Sequence, residues 1–420
     1  MEVLLSTVPV YNNGKVPIKL ASTDIVLPSK QWVDVPFRIA LAHRKNPEIT
    51  TAWKEAHKRA IDWEGSNRHI AIVTPYNPFD GYGLGGCHTI AGLDGNGFTL
   101  HMNNPVTHFK DVLAEKYPKV LEVAARPDVL TLWGIAHLQP KYFGDVWAVN
   151  RIGWTMFEAR TIPKAWVSYC DLVEMLIVPS SSQIAIFRDS GVNLPIKVIH
   201  EGIDFNAYAY VERPIRDTFT IVTWGRLSSR KCPIELVECF WRAFPSQKYP
   251  DARLVLKTRD ECLGAGKGIP RFNDPRITVI DENWDLKRLV ELVHQADCGV
   301  FLSHGEGFYQ PPVQAMATGL PVIVVDHSGS ADFAHSKYNY PIGLDPKNPY
   351  SPSPLGQAYG EQDQLEWWEP DYDQVVETLQ YVYHHREEAQ KKGVRASKWV
   401  RQRFSIQSMI DKLASLLRSL

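Results

Sequence analysis

The sequence contains no uninterrupted apolar run of membrane-spanning length, which argues against a helical anchor. Its first residues, Met1-Glu2-Val3-Leu4-Leu5, lack the basic region and long apolar core of a secretory signal. Cysteine is scarce and scattered: six residues (87, 170, 232, 239, 262 and 298), with no Cys-x-x-Cys pair. That spacing excludes a disulfide framework and reads as reduced, buried thiols, so a soluble cytoplasmic protein is expected. Neither sign of charge prevails. With 46 Lys and Arg against 47 Asp and Glu, the net charge is −1. No global field therefore recruits nucleic acid or an anionic membrane, although a local basic patch stays open. Low-complexity segments and solenoid-period repeats are also absent.

What is present is an ordinary globular composition, 44% hydrophobic and 22% charged, over 420 residues. That length exceeds one common core and favours two domains or more. Residues 1–65 read as a β-rich extension. Val8–Tyr11 and Lys15–Leu20 flank Asn12-Asn13-Gly14, a hairpin signal, and Asp24–Leu27 and Gln31–Pro36 suggest a second extended pair. Thr50–Ile61 follows as a helix.

From His69 short apolar runs alternate with helical patterns. Strands are expected at Ile70–Thr74, Phe98–Met102, Val129–Trp133, Val146–Ile152, Leu176–Val178 and Lys197–Ile199. Helices are expected from Cys87, over Val112–Ala125 and over Pro163–Glu174. A second alternation follows the featureless stretch Phe205–Asp217. Its strands are Phe219–Trp224, Arg253–Lys257, Ile277–Ile280, Cys298–Leu302 and Pro321–Val325, and its helices are Ile234–Phe244, Leu286–Gln295 and Pro312–Thr318. The end is helical over Tyr372–Lys392 and Arg395–Leu417. Such alternation implies α/β domains with parallel sheets covered on both faces. The expected division is 1–65, 66–210, 211–390, and a final helical segment 391–420 that returns to the first large domain. Ligands in such sheets bind beyond the carboxyl ends of strands, so the loops after strands matter most.

The loop after Phe219–Trp224 reads Gly225-Arg226-Leu227-Ser228-Ser229-Arg230-Lys231. Glycine permits a sharp turn, and Arg226 and Lys231 can converge on one diphosphate. The plainer reading is a solvated basic turn. After the strand at Cys298 comes His304-Gly305-Glu306-Gly307-Phe308-Tyr309-Gln310-Pro311-Pro312, which opens a helix with prolines suited to its first turn. A helix start attracts anions, and Glu306 beside it would face whatever the phosphate carries. Alternatively Glu306 merely complements the helix dipole. In the first domain, Gly81-Tyr82-Gly83-Leu84-Gly85-Gly86 forms a glycine-rich loop, with Asp80 ahead of it as a cap or an acceptor contact. His137 and Glu158 each follow a strand. The first is equally a structural histidine, and the second a first-turn acid near Pro163. Asp371-Tyr372-Asp373 is formally a metal motif but precedes a helix, where capping explains it better.

Several of these segments resemble one family. Glu306, Gly307, Phe308, Pro311, Ala315, Met316, Ala317, Gly319, Pro321 and Val322 match the E-G-F-G-x-P-x-x-E-A-M-A-x-G-x-P-V pattern of retaining GT-B glycosyltransferases of the sucrose-synthase-like group. Gly225-Arg226-Leu227 with Lys231 resembles its G-R-L-x-x-x-K loop. Val178-Pro179-Ser180, Lys197 to Asp204, and Trp368-Glu369-Pro370-Asp371 resemble three further signatures. The resemblance runs with gaps from about His69 to Ser405. It implies two Rossmann-like domains facing across a cleft. Catalysis would involve Glu306, Arg226, Lys231, His137 and Glu158. Gly83, Gly225, Gly307, Phe308, Tyr309, Gln310 and Gln314 would join them around a nucleotide-diphosphate sugar. That sugar is a co-substrate; no cofactor or metal is expected. Glu306 would hold hydroxyls of the transferred sugar, with retention of its configuration.

Two positions depart from the pattern. The family's second glutamate falls on Gln314, a neutral donor and acceptor, and glycine is replaced by Tyr309, expected to add bulk beside the sugar. Base contacts are expected near Asp281–Asn283. The acceptor is expected to be a glycan or another hydroxyl-bearing molecule. Three rivals stand beside this reading: a sugar-nucleotide epimerase, a weakly catalytic sugar-nucleotide binder, and a transferase acting on modified DNA. The last is motivated by the basic stretch His385–Arg403.

Overall fold

The computed structural model describes residues 7–12, 17–19, 26–36, 49–51, 68–259, 270–355 and 364–420. Two six-stranded parallel sheets dominate it. In the first, the strands run 196–198, 175–178, 148–154, 131–137, 69–73, 99–102 from edge to edge. In the second, the order is 277–281, 252–258, 219–224, 298–301, 322–325, 340–342. Each chain path starts inside its sheet, builds one way, then reverses.

Burial explains the apolar runs. Along the first sheet Ile70 and Ile72 join one core while Ala71 and Val73 join another on the opposite face. The second sheet repeats this, with Phe219 and Ile221 on one side and Val222 and Trp224 on the other. Side chains alternate across a strand, so a strand covered on both faces needs apolar residues at every position.

Several elements differ from expectation. Gly81–Gly86 is no loop: the helix begins at Gly81 and runs to Leu93. Glycines usually weaken a helix, but here they admit close backbone. A β-carbon on Gly86 would lie 3.2 Å from the carbonyl carbon of Pro75 and nearer still to its oxygen. The 131–137 strand extends through His137, so that histidine ends a strand rather than following one. The stretch 110–124 is broken at Tyr117 into two helices. A helix at Ser182–Asp189, a strand at Tyr340–Ile342 and a hairpin of Tyr350–Ser353 with Leu365–Trp368 were not anticipated. This hairpin crosses to the first domain, where Leu365 and Trp367 enter its core and Arg160 N donates to Glu366 O at 3.0 Å.

In the N-terminal extension, strand Thr7–Asn12 pairs with Trp32–Pro36 and Ile49–Thr51, and Ile18–Lys19 pairs with Val26–Leu27. Among the described residues neither expected neighbour pairing forms. Turn residues permit a reversal, but pairing depends on which edges tertiary structure offers. Of the expected helix Thr50–Ile61, the first two residues are strand and the rest lies outside the described residues.

The C-terminus forms three helices, Tyr372–His384, Arg386–Arg403 and Ile406–Arg418, with breaks at His385 and at Phe404–Ser405. The middle one packs on helix Gln310–Ala317, with Ser397 Oγ donating to Ala317 O at 2.6 Å. The last returns to the first sheet, where Met409, Ile410, Leu413 and Leu417 are buried with Ile90 and Leu93. In the segment that leads into the second sheet, buried Arg213 donates to Thr318 O at 2.6 Å and Ala296 O at 3.3 Å, satisfying carbonyls where two helices end.

Candidate active site

Strand order in the second sheet reverses between 219–224 and 298–301, so the loops leaving these strands diverge and open a crevice. Gly225, at φ 133°, turns the first loop. A short 3-10 turn, Ser229–Lys231, and left-handed Cys232 then lead into helix Pro233–Ala243. The second loop carries Glu306, only 5% exposed. Lys231 Nζ lies 2.9 Å from Glu306 Oε1, Arg230 Nη1 2.8 Å from it, and Ser303 Oγ donates to the same oxygen at 2.7 Å. Burial alone would raise the Glu306 pKa, but Arg230, Lys231 and the Lys231 and Ser303 hydrogen bonds outweigh it and hold the carboxylate ionised.

The cation beside Lys231 on Glu306 is Arg230, while Arg226, expected to converge with Lys231 on a diphosphate, is exposed. Arg230 also reaches across the cleft, its Nη2 3.2 Å from Glu158 Oε1 in the first domain. It donates to Gly305 O as well. The sequence did not single it out, because one basic residue among three in a loop carries no periodic signal.

Gly305 and Gly307 allow close approach of the two domains. A β-carbon on Gly305 would lie 2.3 Å from Glu158 O, and one on Gly307 2.0 Å from Met156 Sδ. Ser180 Oγ donates to Gly307 O at 2.7 Å and Gln183 Nε2 to Glu306 O at 3.3 Å. Ser181 N and His200 Nε2 both meet Asp332 at 2.8 Å. The Val-Pro-Ser signature therefore lies on the domain interface.

Tyr309 adopts φ 74°, a conformation that favours glycine. Contrary to the expectation of bulk beside the sugar, its ring turns inward. It is 4% exposed, edge-on to Phe301, with its hydroxyl donating to Leu302 O at 3.0 Å. Lys231 Nζ sits 4.3 Å from its centroid, so the ring supports that lysine. Phe308 is likewise buried, against Phe333 and Phe404. Helix Gln310–Ala317 starts here, and since Pro311 and Pro312 carry no N–H, its nearest amides belong to Phe308, Tyr309 and Gln310. Gln314, one turn on, is 9% exposed.

On the first domain, Asp80 caps the helix, accepting from Gly83 N at 2.7 Å. Gly83 packs on Asn77 backbone, where a β-carbon would lie 2.4 Å from its nitrogen. His137 is 3% exposed, stacked between Tyr82 and Trp154, with Nδ1 3.0 Å from Thr74 Oγ1. Burial lowers its pKa to about 3, so the ring is neutral. A residue not selected from sequence completes this side. Glu201, after strand 196–198, is 8% exposed and accepts from Gln310 Nε2 at 2.6 Å. It lies in the Lys197–Asp204 segment, whose resemblance to a family signature carries no role for this residue.

Beyond strand 277–281, Trp284 Nε1 donates to Glu282 Oε2 at 2.7 Å and Arg288 covers the indole at 3.9 Å. Asp371 caps its helix through Gln374 N at 2.9 Å, and Asp373 pairs with Arg242. The basic C-terminal stretch is largely occupied within the chain. Arg386 donates to Arg216 O at 2.8 Å, Lys392 to Ser336 O at 2.8 Å and Arg401 to Tyr208 O at 2.6 Å. Among the described residues no helix is long and apolar enough to cross a membrane.

Residues 218–349 match the family model of glycosyl transferases group 1. That match lies within the second α/β domain and ties this part of the chain to the group. No curated protein matches the chain by sequence. Among solved structures, Anabaena HepE in complex with UDP-glucose is similar at 14% identity, covering 84% of this chain and 100% of its own, with TM-score 0.59. Sucrose-phosphate synthase from Thermosynechococcus elongatus is similar at 14% identity, covering 84% of this chain and 98% of its own, also with TM-score 0.59. These likenesses concern the fold.

Proposed function

We propose that the protein transfers a sugar, with retention, from a nucleotide-diphosphate sugar to an acceptor hydroxyl. The observation that carries this is the buried Lys231–Glu306 pair, 2.9 Å apart, at the reversal of the second sheet and the start of helix Gln310–Ala317. As the sugar's bond to phosphate breaks, the diphosphate gains negative charge and the sugar carbon becomes electron-poor. Lys231, exposed Arg226 and the amides of Phe308 to Gln310 meet the first charge with positive potential already in place. Glu306 is held ionised to accept hydroxyls of the sugar. Gln314 would face the nucleoside as a neutral partner. His137, buried and neutral, shapes the floor of the acceptor side beneath Gly81–Gly86, and Glu158 stands at the cleft wall. The donor nucleotide is read as uridine diphosphate, by analogy with the UDP-glucose held by HepE.

A thermal-shift screen of nucleotide sugars, followed by measurement of nucleotide release, tests this reading. UDP-sugars should stabilise the native protein, and Lys231→Ala should lose most of that shift. Glu306→Ala should abolish release. Stabilisation without turnover under any acceptor would instead favour a binding protein, and no stabilisation by any nucleotide sugar would overturn the donor site.

A further inference from the structure

Three carboxylates from three loops meet near the cleft: Glu158, Glu201 and Glu306. Two are matched by cations, since Arg230 lies 3.2 Å from Glu158 and 2.8 Å from Glu306, with Lys231 on the latter. Glu201 is different. Among the described residues its one hydrogen-bonding partner is neutral, the Gln310 amide on Oε2 at 2.6 Å, and Oε1 is left without any. Its position is also particular. Gln310 opens the donor-side helix, and its Nε2 would lie 3.5 Å from a β-carbon on Gly81, which opens the acceptor-side helix. Glu201 is therefore held where the two helix starts approach across the cleft.

We propose that Glu201 is a catalytic residue of the transfer reaction, the base that takes the proton of the acceptor hydroxyl at Oε1. This rests on the transferase reading above. The acceptor oxygen bonds to the anomeric carbon on the face from which the diphosphate leaves, which keeps the configuration, and its proton passes to Glu201. The bond from that carbon to the diphosphate breaks, and its electron pair leaves with the diphosphate. Glu201 then returns the proton to solvent or to the departing phosphate. Gln310 fixes the carboxyl's orientation through the other oxygen, the arrangement that a base needs to act from one lone pair.

Its surroundings suit the task. Burial raises the Glu201 pKa most, the Gln310 hydrogen bond lowers it, and the charges of Glu306 and Glu158 raise it, placing it at about 7. The groups facing it are Gln310 and Glu306 from the second domain and Glu158 from the first, the last two tied to Arg230 and Lys231. A carboxyl tuned near neutrality is a stronger proton acceptor than an ordinary one and is still ionised in a useful fraction.

The test measures UDP release from UDP-glucose, with water and simple sugars as acceptors, for native protein, Glu201→Gln and Glu201→Asp between pH 5.5 and 8.5, with UDP binding by calorimetry. Native kcat/KM should rise with pH through about 7 and level off. Glu201→Gln should bind UDP within about threefold of native, lose roughly 10²- to 10⁴-fold in kcat, and show no such rise. Glu201→Asp should keep a rise at reduced rate. A Glu201→Gln protein that retains the native acid limb overturns the proposal, as does one whose whole deficit is lost UDP affinity. Native protein that releases no UDP overturns the transferase reading itself, and the proposal with it.

Discussion

Gly305→Ala isolates the contact that seats Glu306. The added β-carbon would stand 2.3 Å from Glu158 O and 2.9 Å from its carbonyl carbon. Comfortable separation from a carbonyl oxygen is roughly 3.3 Å. One loop must therefore retreat by about 1 Å, and both are backbone. Overpacking of this kind costs about 1–3 kcal/mol. The same retreat moves Glu306 relative to the first domain, and a misplacement of about 1 Å lowers turnover by around 10²-fold. Gly307→Ala is the milder comparison, because its tightest obstruction is the end of the Met156 side chain, Sδ at 2.0 Å and Cγ at 2.7 Å, which can change rotamer, leaving only Cβ at 2.9 Å to be met by a small backbone shift. Urea unfolding and UDP release should show Gly305→Ala clearly worse on both measures. Equal behaviour of the two variants, or native turnover by Gly305→Ala, would refute the idea that backbone contact here sets the site.

Glu201 also predicts a pH-dependent stability. Its carboxyl is raised from 4.5 to about 7 in the folded state, so folded protein binds the proton more tightly than unfolded. That contribution is intact below about pH 4.5 and is lost as pH rises through about 7, amounting to about 3 kcal/mol. Glu201→Gln should therefore gain stability over native at pH 8 but not at pH 4.5; parallel urea curves at both pH values would refute the shift. Asp80→Ala should cost about 1 kcal/mol with Asp80→Ser recovering most of it, and turnover unchanged. A large loss of turnover at unchanged stability would instead place Asp80 on the acceptor. Arg213→Ala should destabilise the protein by about 2 kcal/mol or more, because buried carbonyls of Thr318 and Ala296 lose their donor. Calorimetry showing no change in its unfolding would remove that clamp.

Much of the fold could be read from local pattern. The apolar runs at Phe219–Trp224 and Leu286–Gln295 match their elements residue for residue, because a doubly covered strand and an amphipathic helix each impose a periodicity that sequence records. The pairing of 7–12 with 32–36 could not be read, since its partner is remote in sequence, nor could the pairing of 350–353 with 365–368, whose Leu365 and Trp367 are buried against the first domain. The candidate site divides in the same way. Glu306, Lys231 and the helix at Gln310 stand in ordered motifs and announced themselves. Arg230 and Glu201 did not, because their significance lies in which loops lie opposite them.

Sequence by itself thus determined that two α/β domains form and that Glu306 and Lys231 belong to one crevice. Tertiary structure alone decided that Arg230 joins Glu306 to Glu158, that Tyr309 turns into the core, and that Glu201 meets the neutral Gln310 amide. The physical reason is range. Periodicity and turn chemistry act over a few residues, whereas the ionisation of a buried carboxyl depends on charges that residues 158, 201, 230 and 306 bring together only when the domains close on one another.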